Sequence, residues 1–347
     1  MSIATLLASG SKVWLDGVAP DEIAKNRARG ITGATSNPVI VSNIVKQGQF
    51  DDRIARLLRQ GLPDEDVAWE LNDELVKAAQ DVFLPVWNET HGNDGHVSFE
   101  LDPLIEDDAA GLDNAARVAR YLELGKHWSA GHRNRMIKVP ATRAGLDSLE
   151  QLAAMGVTIN VTLMFTERQY RAARDAIWRG AQRRENGLDD FKSVYSIFVS
   201  RVDAYTAKHL PELGSAAQGM VGIVNAKRIW RDNREFWADK GLRLQQEIVF
   251  ASTGVKTSGD PPDKYVEAFA GDGILTNPPA TNDAVEASGK TYTRMVDRMP
   301  AAEVAREIDE AVDMERLERV LMEEGLRKFI EPQEALIALI AEKRAAS

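Results

Sequence analysis

A lysine set among apolar residues is where chemistry first shows in this sequence. Lys138 sits in RMIKVPAT, flanked by Met136, Ile137 and Val139. Burial in such a segment strips water from the ammonium, and that loss favours the neutral amine. A neutral amine is the form that adds to a carbonyl and makes a Schiff base. A lysine whose stem follows the strand and whose head reaches water would instead serve packing alone. Other apolar segments also carry isolated polar residues. Asp16 ends VWLD, Asn37 precedes Pro38, Glu100 lies in VSFELD, and Ser196 and Arg201 frame SIFVSR. Asn160 and Thr162 alternate in INVTLMF, and an i, i+2 spacing points both to one face of a strand. Taken singly, each residue has an ordinary role: a loop cap for Asp16, a turn before proline for Asn37, a paired carboxylate for Glu100, a strand former for Thr162. Together they surround one lysine with the acids, amides and hydroxyls that imine chemistry needs.

The elements that must position them are short and β-rich. Strand patterns run over 12–18, 33–41, 96–102, 135–141, 157–165, 192–200, 246–253 and 273–279, several of them apolar almost throughout. Helical patterns fill 64–90, 111–131, 143–155, 166–184 and 215–239. Alternating βα units require parallel pairing, because each return needs a crossover. Eight units over about 280 residues predict a (β/α)8 barrel, typically about 250 residues, rather than an open sheet, and no GxGxxG follows the first strand. The barrel is expected over about 12–290. Residues 300–346 read as two amphipathic helices broken near Glu331 and Pro332, covering the barrel within a single domain, 1–347.

Composition narrows the function classes. The chain has 347 residues with 43 basic and 53 acidic side chains, a net charge of −10, which offers no basic footprint for nucleic acid or anionic lipid. With no cysteine, disulfides, thiolate metal sites and a cysteine nucleophile are excluded. The histidines His91, His96, His127, His132 and His209 show no paired ligand spacing at strand ends, so neither a metal nor another cofactor is expected. The start, MSIATLLASGSKVWLDG, lacks a basic leader, and no apolar run reaches the roughly 18 residues of a membrane span. A cytoplasmic protein without membrane or nucleic-acid partners is expected.

The stretches VWLDGV, GATSNPVI, VSFELD, MIKVPATRAGLDSL, INVTLMF, SIFVSR and ILTNPPAT together resemble the transaldolase family, and DGHVSFE is similar to its longer, bacterial-type branch. GLRKF near the end resembles that family's closing helices. The resemblance implies a transferase of carbohydrate metabolism, of the pentose phosphate pathway type, that moves a dihydroxyacetone unit from a ketose phosphate to an aldose phosphate. It implies Lys138 as the Schiff-base lysine on the fourth strand and Asp16 as the general acid/base. Glu100 and Thr162 match the pair that holds a catalytic water. Asn37, Asn160 and Ser196 match contacts to the three-carbon unit, Phe198 the aromatic residue beside it, and Arg201 the phosphate-binding arginine. One segment departs from the pattern. In FASTGVKT (250–257) Ser252 keeps its place, but the arginine expected two positions later is absent, and Lys256 stands as its candidate replacement. An aldolase of the same lineage that releases free dihydroxyacetone is the nearest alternative, against which Phe198 counts. A non-catalytic sugar-phosphate-binding barrel is the other, and the joint presence of Lys138, Asp16, Glu100 and Thr162 argues against it.

Overall fold

The computed structural model describes residues 2–345; positions 1, 346 and 347 of the expected single-domain span lie outside the described residues. Eight parallel strands close into a barrel in sequence order: β1 Ser11–Asp16, β2 Gly33–Thr35, β3 Val97–Glu100, β4 Arg135–Pro140, β5 Ile159–Met164, β6 Ser193–Phe198, β7 Glu247–Ala251 and β8 Gly273–Asn277. Helices follow the strands and cover the outside, as the alternating pattern requires.

The strand period of two explains how a packed interior comes to carry a polar mouth. Trp14, Met136, Val194, Val249 and Ile274 form one buried apolar cluster inside the barrel. Two residues further along the same strands come Asp16, Lys138, Ser196, Ala251 and Thr276. Alternation sends each pair to the same face, so the apolar layer is the floor and the next layer is the site. Gly33 leaves room for that floor, because a Cβ there would stand 2.6 Å from the Trp14 Nε1. Below it, Glu247 pairs with Lys12 at 2.8 Å and with the fully buried Lys192, closing the opposite end of the barrel.

Two segments differ from the sequence reading. GATSNPVIV does not continue as a strand: β2 stops at Thr35 and Pro38–Lys46 is helical. Pro38 fits the first helical turn, and the Asn37 Oδ1 accepts the Ile40 backbone N–H at 3.1 Å, so an N-cap overrides the β preference of Val39, Ile40 and Val41. The C-terminal region is Ala302–Ala311 followed by one unbroken helix, Met314–Ala345, that runs through Pro332. Proline removes one intrahelical hydrogen bond there. The helix survives because Phe329, Gln333, Leu336 and Ile340 are buried on both sides of the proline. It lies across the barrel, against the helices Pro38–Lys46 and Asp64–Glu89. Among the described residues no helix is long and apolar enough to cross a membrane.

Candidate active site

At the carboxyl ends of the strands one cavity is lined by Asp16, Asn37, Lys138, Thr162, Ser196, Phe198, Arg201, Ser252 and Lys256, together with Thr35, Thr276 and Phe329. Nine of the eleven residues singled out from sequence thus meet in one place. The other two, Glu100 and Asn160, stand one step behind the wall.

Lys138 is buried, and its Nζ donates to the Glu100 Oε2 at 3.0 Å and to the Ser36 carbonyl at 3.1 Å. Parallel pairing aligns Glu100 directly with Lys138 on β3 and β4, so sheet register sets the pair. Burial pushes the Glu100 carboxyl up from its ordinary value; the Lys138 charge opposes this and the Asp16 charge adds to it. The half-buried Asp16 is also raised, mainly by loss of water. Lys138, the Thr35 hydroxyl, Arg201 and Lys256 pull it back. Two carboxyls therefore flank the amine in different settings, one hydrogen-bonded to it and one at the open mouth.

Asn160 pairs in register with Lys138, but its amide does not reach the cavity. Its Nδ2 donates to the Ser98 Oγ at 2.9 Å, and its Oδ1 accepts from the Ser196 Oγ at 2.7 Å. Asn160 thereby orients Ser196, which does line the cavity. The Thr162 Oγ1 is buried with no hydrogen-bond partner. A buried hydroxyl left unpaired is costly, and a water or a substrate atom would satisfy it. Just beyond it, Leu163 takes a positive φ of 53° where β5 slips register against β6.

Arg201 lies past the end of β6, in the first turn of the helix Ser200–His209. Its guanidinium carbon stands 5.0 Å over the Phe198 ring, and its Nη1 is buried without a partner. Burial lowers the Arg201 pKa, with Asp16, Glu100 and Glu324 opposing. Ser252 holds a left-handed backbone, φ 56°, and its hydroxyl sits 2.9 Å from the Ser200 Oγ, which draws the β7 loop toward the start of that helix. Lys256, exposed at the rim, is lowered by partial loss of water around its ammonium and by the Arg201 and Lys328 charges, with Asp16 opposing. The half-buried Arg201, with its unpaired Nη1, and the rim ammonium of Lys256 thus put two positive charges on the lining of the cavity.

The family model described as Transaldolase/Fructose-6-phosphate aldolase matches residues 13–340. The chain belongs to the transaldolase family. Among its relatives, a protein named Transaldolase from Mycobacterium tuberculosis is 32% identical, with 94% of this chain and 93% of the other covered. Another of that name, from Thermobifida fusca, is 32% identical with 97% of each chain covered. Transaldolase 2 of Streptomyces avermitilis is 30% identical over 94% of this chain and 93% of its own. No group of three or more metal-ligating side chains that could hold an ion occurs among the described residues.

Three polar or aromatic side chains that line the cavity, Thr35, Thr276 and Phe329, escaped the sequence reading. Thr35 and Thr276 are ordinary strand residues by type, and nothing in their spacing separates them from packing threonines. Phe329 lies 6.0 Å, ring centre to Nζ, from Lys138, although nearly two hundred residues separate them in sequence. It belongs to the GLRKF stretch, whose resemblance to the closing helices was the one available signal.

Proposed function

We propose that this transaldolase transfers a dihydroxyacetone unit from a ketose phosphate to an aldose phosphate through an imine on Lys138. The observation that carries this reading is a buried amine, hydrogen-bonded to Glu100, in the same cavity as the Asp16 carboxyl. The Lys138 amine adds to the ketose carbonyl. Glu100, 3.0 Å from Nζ, takes one proton from the Lys138 ammonium to free the amine. The proton released by the attacking nitrogen passes to the carbonyl oxygen, and Glu100 returns its own to the resulting hydroxyl, which leaves as water and gives an iminium. Thr162, with its unpaired hydroxyl, holds that water. Asp16 then removes the proton from the hydroxyl on carbon four. The bond between carbons three and four breaks, its electrons flow into the iminium, and the aldose departs as an aldehyde. The three-carbon enamine stays bound until an acceptor aldehyde enters and the steps run in reverse.

Water has to be kept from the enamine, since hydrolysis would turn transfer into plain cleavage. Phe329 from the C-terminal helix and Phe198 wall the cavity with apolar surface. Asn37 and Ser196 contact the three-carbon unit, while Asn160 acts one layer out by holding Ser196. Ser252, Arg201 and Lys256 take the phosphate edge.

The test is borohydride reduction with fructose 6-phosphate, followed by peptide mass mapping. A three-carbon adduct on Lys138 is expected, and Lys138→Ala should lose both adduct and turnover while keeping its circular dichroism. An adduct on another lysine, or turnover in the variant, overturns the mechanism. Free dihydroxyacetone formed as fast as transferred product would assign the chain to aldol cleavage instead.

A further inference from the structure

Asp16 is tied on both sides to neighbouring strands. β1 pairs with β2 and with β8, and the register sets Asp16 beside Thr35 and Trp14 beside Thr276. The Thr35 Oγ1 is 3.0 Å from the Asp16 Oδ1 and 3.0 Å from the Thr276 Oγ1. Both threonines are buried, and both line the cavity. A hydroxyl carries one hydrogen and an ionised carboxylate can only accept. Thr35 therefore gives its hydrogen to Asp16, and Thr276 must give its own to Thr35. The two bonds form a directed chain, Thr276 to Thr35 to the Asp16 Oδ1.

We infer that Thr35 and Thr276 are positioning residues for Asp16, holding Oδ1 as a fixed acceptor so that Oδ2 is the oxygen that exchanges a proton with the sugar hydroxyl. The inference rests on the acid/base role proposed for Asp16. During cleavage the hydroxyl proton moves to Oδ2, a carbonyl forms on carbon four, and the carbon–carbon bonding pair enters the iminium. Oδ1 keeps its hydrogen bond from Thr35 before and after, so the carboxyl need not rotate between the two states. That constancy is what preorganisation requires. The charged groups that share Asp16's surroundings are Lys138, Arg201 and Lys256, which favour the carboxylate, and Glu100, which disfavours it. A donated hydroxyl also favours the carboxylate, so removing it raises the pH at which Asp16 takes up a proton.

The experiment follows the acid limb of kcat/KM for fructose 6-phosphate, with borohydride trapping on the same samples. Thr35→Val keeps the shape and removes the hydrogen. It should move the acid limb up by about half a pH unit to one unit, the equivalent of one ordinary hydrogen bond. Cleavage should fall about tenfold while trapping at Lys138 stays at the wild-type level, and Thr35→Ser should restore both limb and rate. Thr276→Val, which removes the outer link, should move the limb the same way by less, and it answers the question if Thr35→Val fails to fold. An unmoved limb in the folded valine variants, or a serine variant no better than valine, overturns the inference. Normal cleavage in Asp16→Asn would instead overturn the role of Asp16 itself, which separates the two failures.

Discussion

Substituting Arg201 by methionine is the sharpest test of the anion edge, because the guanidinium gives up little when no ligand is bound. Its Nη1 is buried without a hydrogen-bond partner, and its carbon rests 5.0 Å over the Phe198 ring. Methionine keeps contact with that ring and removes the charge. The unliganded variant should therefore melt no lower than the wild type, since no native ion pair is lost. With a phosphate bound the balance reverses. A charge-assisted hydrogen bond to a phosphate oxygen contributes about 1.5–3 kcal/mol. At 1.4 kcal/mol per decade this raises KM for fructose 6-phosphate by about 10-fold to 100-fold. Lys256 is exposed, so its contact is screened and closer to a surface ion pair, about 0.2–1 kcal/mol, or up to roughly fivefold in KM for Lys256→Ala. The assay is steady-state transfer to one acceptor aldehyde from fructose 6-phosphate and from fructose, with product followed by mass spectrometry. The loss should fall on the phosphorylated donor alone, and raising the salt should shrink the Lys256 effect faster than the Arg201 effect. Equal losses on the two donors would refute the phosphate role of Arg201. An unchanged KM in Lys256→Ala would refute the phosphate role of that lysine.

Three more outcomes follow from the same geometry. Asp16→Asn should raise the melting temperature at pH 7.5 while cleavage falls by about 10²–10⁴-fold. A carboxyl whose folded pKa is raised binds its proton more tightly when folded, so stability drops as pH rises from the unfolded value through the folded one; the asparagine gain should fade toward pH 4, and a gain independent of pH would contradict it. Glu100→Gln should slow the single-turnover build-up of the trapped imine and leave cleavage of preformed imine less affected; equal slowing of both steps would put Glu100 in the wrong role. Phe329→Leu should admit water beside Lys138 and raise the dihydroxyacetone released per transfer, which an unchanged ratio would disprove.

The barrel was legible because its signal is repeated: eight apolar segments with helical patterns between them leave little topological choice. The inner face was legible where a charged residue interrupts or ends such a segment, as with Lys138 in RMIKVP or Asp16 in SKVWLD, since taking a charge out of water is costly. Local overrides escaped the pattern. VIV after Pro38 has β-branched side chains and still forms a helix, because a proline in the first turn and the Asn37 cap decide the backbone there. Pro332 has the breaker's chemistry and still sits mid-helix, because tertiary burial of Phe329 and Leu336 offsets one missing hydrogen bond.

What sequence cannot supply is which of the inward side chains reaches the open cavity. Glu100, Lys138 and Asn160 occupy paired positions on β3, β4 and β5, yet only Lys138 of the three reaches the cavity. Side-chain length and hydrogen-bond partners decide this: the Asn160 amide is held between Ser98 and Ser196, and Glu100 turns its carboxylate onto the lysine. The roof is hidden for a different reason. Gly325 sets the height of the C-terminal helix, since a Cβ there would stand 3.1 Å from the Leu163 Cδ2 and 3.4 Å from the Arg201 Nη1. A glycine within a helix reads from sequence as a weakness of roughly 1 kcal/mol. In the folded chain it lets the helix sit low enough for Phe329 to line the cavity beside Lys138 and to bring apolar surface down onto the amine.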